Sequence, residues 1–238
     1  MKKLFATLVA GALMLTSCAH LSADRHKKQL NDEFESVVMV VVSTSVVEKG
    51  KEVELAWSGT GFSLSSGANG SKVLTNKHVC AATTHAEYAL VLPSGKQVPA
   101  KFVKISRDAD LCLLDTEEKI KPVKLAKYDA DRATHVTVIG APHAQFPFFT
   151  EGYVSGYHYV AMSLSDEDDM EVRFRAQFTS CPIYPGNSGS PAFNDAGYVV
   201  GIMFAGRRDA EHMTLMVPVE LIHQFLESKD STWTISRK

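Results

Sequence analysis

The chain has 238 residues, 45% of them hydrophobic, with 25 Lys and Arg against 27 Asp and Glu and a formal charge of −2. That length suits one well-buried domain. The near-neutral balance, with Lys and Arg scattered rather than striped, gives no electrostatic reason to expect a nucleic-acid partner.

Lys2 and Lys3 open the chain, Leu4 to Leu15 form an apolar run, and Leu15-Thr16-Ser17-Cys18 supplies small residues for cleavage. The run is too short to span a bilayer, which takes roughly 20 residues. Residues 1–17 resemble a bacterial lipoprotein signal peptide, an ordinary secretory signal being the alternative. The resemblance implies that Cys18 carries lipid and begins the mature chain. Residues 18–35 then read as a polar, lipid-anchored tether, with a short helix possible within it. Ala19 follows the cysteine where an aspartate would signal inner-membrane retention, so an extracytoplasmic, outer-membrane site is favoured. A membrane partner is expected only through this anchor.

The domain is expected over residues 36–230. Val37 to Val42 is a β-branched run, and Glu48-Lys49-Gly50-Lys51 separates it from Glu52 to Trp57, a hairpin signal. Phe62 to Ser65 and Lys72 to Thr75 make a second hairpin. Tyr88 to Leu92 and Gln97 to Val103 make a third, and Leu111 to Leu114 ends the first set. A linker at about 118–132 precedes a second set: His135 to Ile139, Gly152 to Val160, Met170 to Phe178, Ala192-Phe193, Tyr198 to Met203 and Met213 to Val217. Many short strands with turns between them argue for barrels or sandwiches. Apolar residues at helical spacing over about 218–228 predict a terminal helix.

Three cysteines remain after Cys18, allowing at most one disulfide. The expectation is that Cys80, Cys112 and Cys181 pack as small buried residues. A bond between Cys80 and Cys112 is the alternative. None sits with histidines at ligand spacing, so no metal or other cofactor is expected. Asp166-Glu167-Asp168-Asp169 lacks the glycine and alternating oxygens of a calcium loop and reads as a solvated hairpin tip. Phe146-Pro147-Phe148-Phe149 is either an exposed aromatic patch or packing between the two sets of strands.

The chemistry lies in Pro185-Gly186-Asn187-Ser188-Gly189-Ser190-Pro191, Thr75-Asn76-Lys77-His78 and Asp108-Ala109-Asp110-Leu111. A serine hydroxyl is a poor nucleophile unless a base takes its proton as the new bond forms. His78 suits that role, and Asp110 suits holding the other ring nitrogen. Small neighbours leave Ser188 open to a carbonyl and free the Gly186 and Ser188 N–H groups to receive its developing oxyanion. Ser180 and Ser190 lack paired glycines, and His85 lies in a turn beyond the strand end. Asp108 and Asp115 flank Asp110, which alone immediately precedes the apolar strand.

The order His78, Asp110, Ser188 is that of chymotrypsin-like enzymes. With Gly59-Thr60-Gly61-Phe62, Val73 to Val79, Asp110 to Leu114, Gly186 to Pro191 and Val199 to Ile202, the chain resembles bacterial trypsin-like serine endopeptidases. It is nearest in pattern to the protease domain of Deg/HtrA enzymes and to glutamyl endopeptidases. The resemblance implies an all-β fold of two antiparallel six-stranded barrels, at about 36–118 and 133–217, with a C-terminal helix. The site would form between the barrels and would cut peptide bonds of protein or peptide substrates. It also implies that Pro182, Ile183, Met203, Phe204, Ala205 and Gly206 bind substrate. With no acid there, the acyl-side residue is expected to be apolar. Met203 stands where glutamyl endopeptidases place a histidine, against glutamate selectivity. Asn187 replaces the aspartate of digestive trypsins, so the oxyanion loop should form without zymogen cleavage. After the helix only residues 229–238 remain, and the Deg/HtrA resemblance is expected to stop at the protease domain. A catalytically silent binding module of the same fold is the alternative from another functional class.

Overall fold

The computed structural model describes residues 26–80, 86–163, 171–206 and 213–228. Cys18, His85 and the Asp166 to Asp169 run lie outside the described residues. The chain divides into two units, residues 1–34 and 35–238. In the first, residues 26–34 are helical, with Gln29 Nε2 donating to Glu33 Oε1 one turn on at 2.9 Å.

The second unit opens with β1 (Val37–Glu48), β2 (Lys51–Gly67) and β3 (Gly70–Thr75), then a short helix α1 (Lys77–Cys80). β4 (Glu87–Val91), β5 (Gln97–Ile105) and β6 (Cys112–Thr116) complete a closed barrel in the order β1-β2-β3-β6-β5-β4. Every neighbouring pair is antiparallel. Alternation decides what faces inward: Val38, Val40 and Val42 are buried and meet Val73, Leu90, Val98 and Leu114 in one core. The sequence predicts separate strands at 52–57 and 62–65. The structure runs them together as the 17-residue β2 because β1 pairs continuously from Val37↔Phe62 to Glu48↔Lys51.

The expected linker contains β7 (Lys124–Leu125), which pairs in parallel with a later strand. β8 (His135–Gly140), β9 (Phe148–Ser163), β10 (Glu171–Thr179), β11 (Pro191–Asn194), β12 (Tyr198–Gly206) and β13 (Thr214–Pro218) follow. They form a seven-stranded sheet in the order β11-β8-β9-β10-β13-β12-β7, and an additional β11–β12 pairing joins it back on itself. Six strands thus make a ring, with β7 appended. Its core gathers Val136, Val138, Val154, Ala192, Val200 and Met216. Phe148 and Phe149 start β9 and are exposed.

The C-terminal helix α2 (Val219–Glu227) buries Val219, Ile222 and Phe225, one residue per turn on one stripe. Lys104 of β5 secures its far end, donating to the Phe225 and Ser228 carbonyls at 2.7 and 3.1 Å.

One expectation is corrected. Cys80 and Cys112 form a disulfide with Cα atoms 6.4 Å apart, rather than packing as separate thiols. The register explains it. Thr75 lies opposite Cys112, and the single turn of α1 immediately after Thr75 returns Cys80 over that strand. Cys181 is free and buried, and that burial pushes its thiol up to about 11.

Candidate active site

His78 sits in α1, just beyond the end of β3, and Asp110 just before β6. Because β3 and β6 are paired neighbours, the two residues emerge side by side. His78 Nδ1 donates to Asp110 Oδ2 at 2.7 Å, and its backbone N–H donates to Oδ1 at 3.0 Å. The carboxylate is fully buried, so both bonds compensate a charge taken out of water. Asn76 Nδ2 holds the Asp110 carbonyl at 2.8 Å, and Trp57 Nε1 holds the Val79 carbonyl at 2.9 Å. The disulfide ties the last residue of α1 to the first residue of β6. Burial alone lowers the proton affinity of His78. The charge and hydrogen bond of Asp110 outweigh it, and the net shift is above the ordinary 6.5.

Ser188 is brought to this pair by the first barrel itself. The Thr60 N–H of β2 donates to the Ser188 carbonyl at 2.7 Å. A Cβ on Gly59 would touch both Val79, the residue after His78, and the Ser188 carbonyl, at 2.7 and 3.0 Å. No hydrogen bond links Ser188 Oγ to His78 among the described residues.

The Ser188 loop is shaped by close approaches that only glycine allows. Gly186 and Gly189 have φ of +100° and +90°. A Cβ on Gly186 would lie 2.3 Å from the Ala141 carbonyl oxygen, and one on Gly189 1.8 Å from that of Thr60. The carbonyls around the loop are engaged. Pro185 accepts from the His143 N–H at 2.7 Å, Gly186 from the Thr60 hydroxyl at 2.7 Å, and Tyr184 from the Asn187 N–H at 2.9 Å. His143 itself has a left-handed φ of 51°. The Gly186 and Ser188 N–H groups donate to no acceptor among the described residues. Asn187 is buried. Ser190 is buried where it faces Gly140, on which a Cβ would lie 2.1 Å from its Oγ.

The residues expected to bind substrate separate into two kinds. Ile183 and Gly206 face each other: a Cβ on Gly206 would be 3.5 Å from Ile183 Cγ1 and 3.8 Å from Thr214 Cγ2. The Thr214 hydroxyl is turned away to the Thr179 and Cys181 carbonyls, so its methyl is what faces that space. Pro182 accepts from the Thr150 hydroxyl. The Met203 side chain, by contrast, is fully buried in the second core, and its backbone bonds Gly189 and Ser190. Phe204 is also buried, against Phe174 at 5.3 Å between ring centroids. β12 has β11 beside it only as far as Ile202, so Ala205 and Gly206 are paired on the β13 side alone. Thr60 and Thr214 were given no role from the sequence, Asn76 figured only inside the His78 motif, and the disulfide only as the alternative pairing. For Thr60 the one sequence signal was its place in Gly59-Thr60-Gly61-Phe62.

Among the described residues, no group of three or more His, Cys, Asp or Glu is arranged to hold a metal. No described helix is long and apolar enough to cross a membrane.

The family model described as a trypsin-like peptidase domain matches residues 59–202. The chain belongs to that family. Its sequence is 32% identical over 79% of its length to a probable periplasmic DegP-like serine endoprotease of Ectopseudomonas mendocina, covering 38% of that protein. It spans 28% to 40% of the length of the first curated relatives it matches. Among solved structures, an active-form M. tuberculosis protease superposes with a TM-score of 0.70 at 19% identity, over 87% of this chain and 86% of that one. The HtrA-type protease AlgW, solved with a decapeptide, superposes at 0.68 and 20% identity, over 85% and 66%. These likenesses establish the fold: an antiparallel β-barrel, a second sheet and a C-terminal helix, as in chymotrypsin-like proteases. The domain is a trypsin-like serine protease domain with Deg/HtrA relatives. Asp110, His78 and Ser188 all lie within the matched residues.

Proposed function

We propose that this chain is a serine endopeptidase in which Ser188 attacks the substrate carbonyl, His78 is the base and Asp110 orients it. The observation that carries this reading is the 2.7 Å bond from His78 Nδ1 to the buried Asp110 carboxylate. That bond leaves Nε2 as the nitrogen able to take the Ser188 proton. The proton then passes from Nε2 to the leaving amine, giving an acyl-enzyme that water hydrolyses by the same route in reverse. The Gly186 and Ser188 N–H groups receive the oxyanion, and their freedom from internal acceptors supports that role.

The acyl-side residue of the substrate is small to medium and apolar. Ile183, Gly206 and the Thr214 methyl bound the space it would occupy, and no acid stands at Pro182 or Ile183. Ala205 and Gly206, with one open edge, would pair with substrate backbone largely independently of its sequence. Extracytoplasmic proteins are the substrates, in keeping with the periplasmic relative, and lipid on Cys18 tethers the enzyme to the outer membrane.

A fluorophosphonate probe should label the wild-type protein and leave Ser188→Ala unlabelled. A folded wild type that never reacts would remove the nucleophile from this account and favour a binding module. Peptide-library cleavage should show Ala, Val or similar side chains before the cut bond. Dominant Glu, Lys or Arg there would overturn the pocket assignment.

A further inference from the structure

We propose that Thr60, on the first barrel, is the positioning residue that sets the oxyanion-binding amides of the second. This rests on the reading of Gly186 and Ser188 as those donors. Each donor N–H belongs to a planar peptide unit, Pro185–Gly186 for one and Asn187–Ser188 for the other. A single peptide plane, Gly186–Asn187, lies between them, and its tilt fixes the angle at which the two N–H groups converge.

The Thr60 hydroxyl holds that plane. It donates to the Gly186 carbonyl at 2.7 Å and accepts from the Ala141 N–H at 3.0 Å. A hydroxyl has one proton, so accepting from Ala141 leaves that proton committed to Gly186, and Thr60 is fully buried. The same residue's N–H holds the Ser188 carbonyl at 2.7 Å. Its own carbonyl accepts from the Thr75 hydroxyl at 2.6 Å, three residues before His78. Thr60 therefore bridges the strand leading to the base and the loop carrying the nucleophile.

Asn187 cannot form the ion pair with a released N-terminus that an aspartate there would form. The Thr60 hydroxyl supplies an alternative restraint, one present as soon as the two barrels are packed. It acts on groups that matter most when charge develops on the substrate oxygen, so it should change kcat rather than KM.

The test compares Thr60→Val, Thr60→Ser and wild type in fluorophosphonate labelling and in steady-state cleavage of the best library peptide. Thr60→Val should lose on the order of 10²-fold in kcat and in labelling rate, comparable to losing one oxyanion donor, with KM within about twofold. Thr60→Ser should recover most of the loss, and the acidic limb of the pH profile should not move, since His78 and Asp110 are untouched. Should Thr60→Val fail to fold, Thr60→Ala against Thr60→Ser isolates the hydroxyl, both lacking the methyl. Equal kcat with and without the hydroxyl, or a loss carried by KM, overturns the inference while leaving the nucleophile intact. A wild type that is never labelled overturns both.

Discussion

The two halves of the candidate site are held by different means. His78 and Asp110 sit at the ends of two paired strands of the first barrel, beside a covalent bond from Cys80 to Cys112. Their geometry is local to one core. Ser188 belongs to a loop of the second sheet and takes its position from backbone and hydroxyl contacts to Thr60, an element of the other barrel. The acid–base pair is built into a wall, while the nucleophile is docked onto it. Changes in the first barrel's core should therefore act through stability and proton affinity. Changes at the docking contacts should act through transition-state stabilisation.

The largest effect that sharpens this contrast is Asp110→Asn. It removes the charge that fixes the His78 tautomer, and kcat should fall about 10⁴-fold with the fold intact. In the wild type, activity requires neutral His78, so kcat/KM should rise with pH through a midpoint above 6.5, the direction in which Asp110 shifts the imidazole. The corresponding stability has the opposite sense: the charged pair favours the fold below about pH 6.5, and that contribution is lost as pH rises through the higher folded value. An acidic limb below 6.5 in the wild type would break the assignment.

Removing the disulfide in Cys80→Ala/Cys112→Ala comes next. The bond spans 32 residues, for which chain entropy gives roughly 3–4 kcal/mol. Guanidinium denaturation should show that loss. At a temperature where the variant remains folded, kcat should fall only modestly, because Asn76 and Trp57 still hold the two segments. A collapse of kcat without a stability change would mean that the bond positions His78 directly.

The strands were legible because alternation and turn residues are local signals. The hairpin at Lys49-Gly50 and the β-branched run of β1 are written in consecutive residues. β7 was not, since two residues carry no period and that pairing is decided by β12. The disulfide was half-legible: Cys80 and Cys112 each follow a site residue by two positions, but their union depends on the β3–β6 register. The His78, Asp110 and Ser188 positions stood out by type and context. Thr60 did not, because its hydroxyl meets Gly186 across 126 residues of sequence, a partnership that exists only once both barrels have formed. Met203 was chosen by resemblance alone; its side chain lies in the second core, against which Ile183 packs, and its backbone bonds Gly189 and Ser190.

The smallest effect tests whether the barrels are also joined away from the site. Lys104 is buried on β5, and its ammonium lies 4.6 Å from the Phe225 ring centroid while donating to two carbonyls at the end of α2. A cation there meets carbonyls of the helix end, Phe225's shared with the Ser228 hydroxyl, and the negative end of the helix dipole. Lys104→Met keeps an unbranched side chain at that position and deletes the charge over Phe225 together with its donors. It should cost about 1–2 kcal/mol, read by denaturation, with kcat and KM unchanged. A drop in kcat of tenfold or more would show that the helix clamp reaches the Ser188 loop. Lys104 would then have to be counted with the contacts that set the rate rather than with those that only hold the fold.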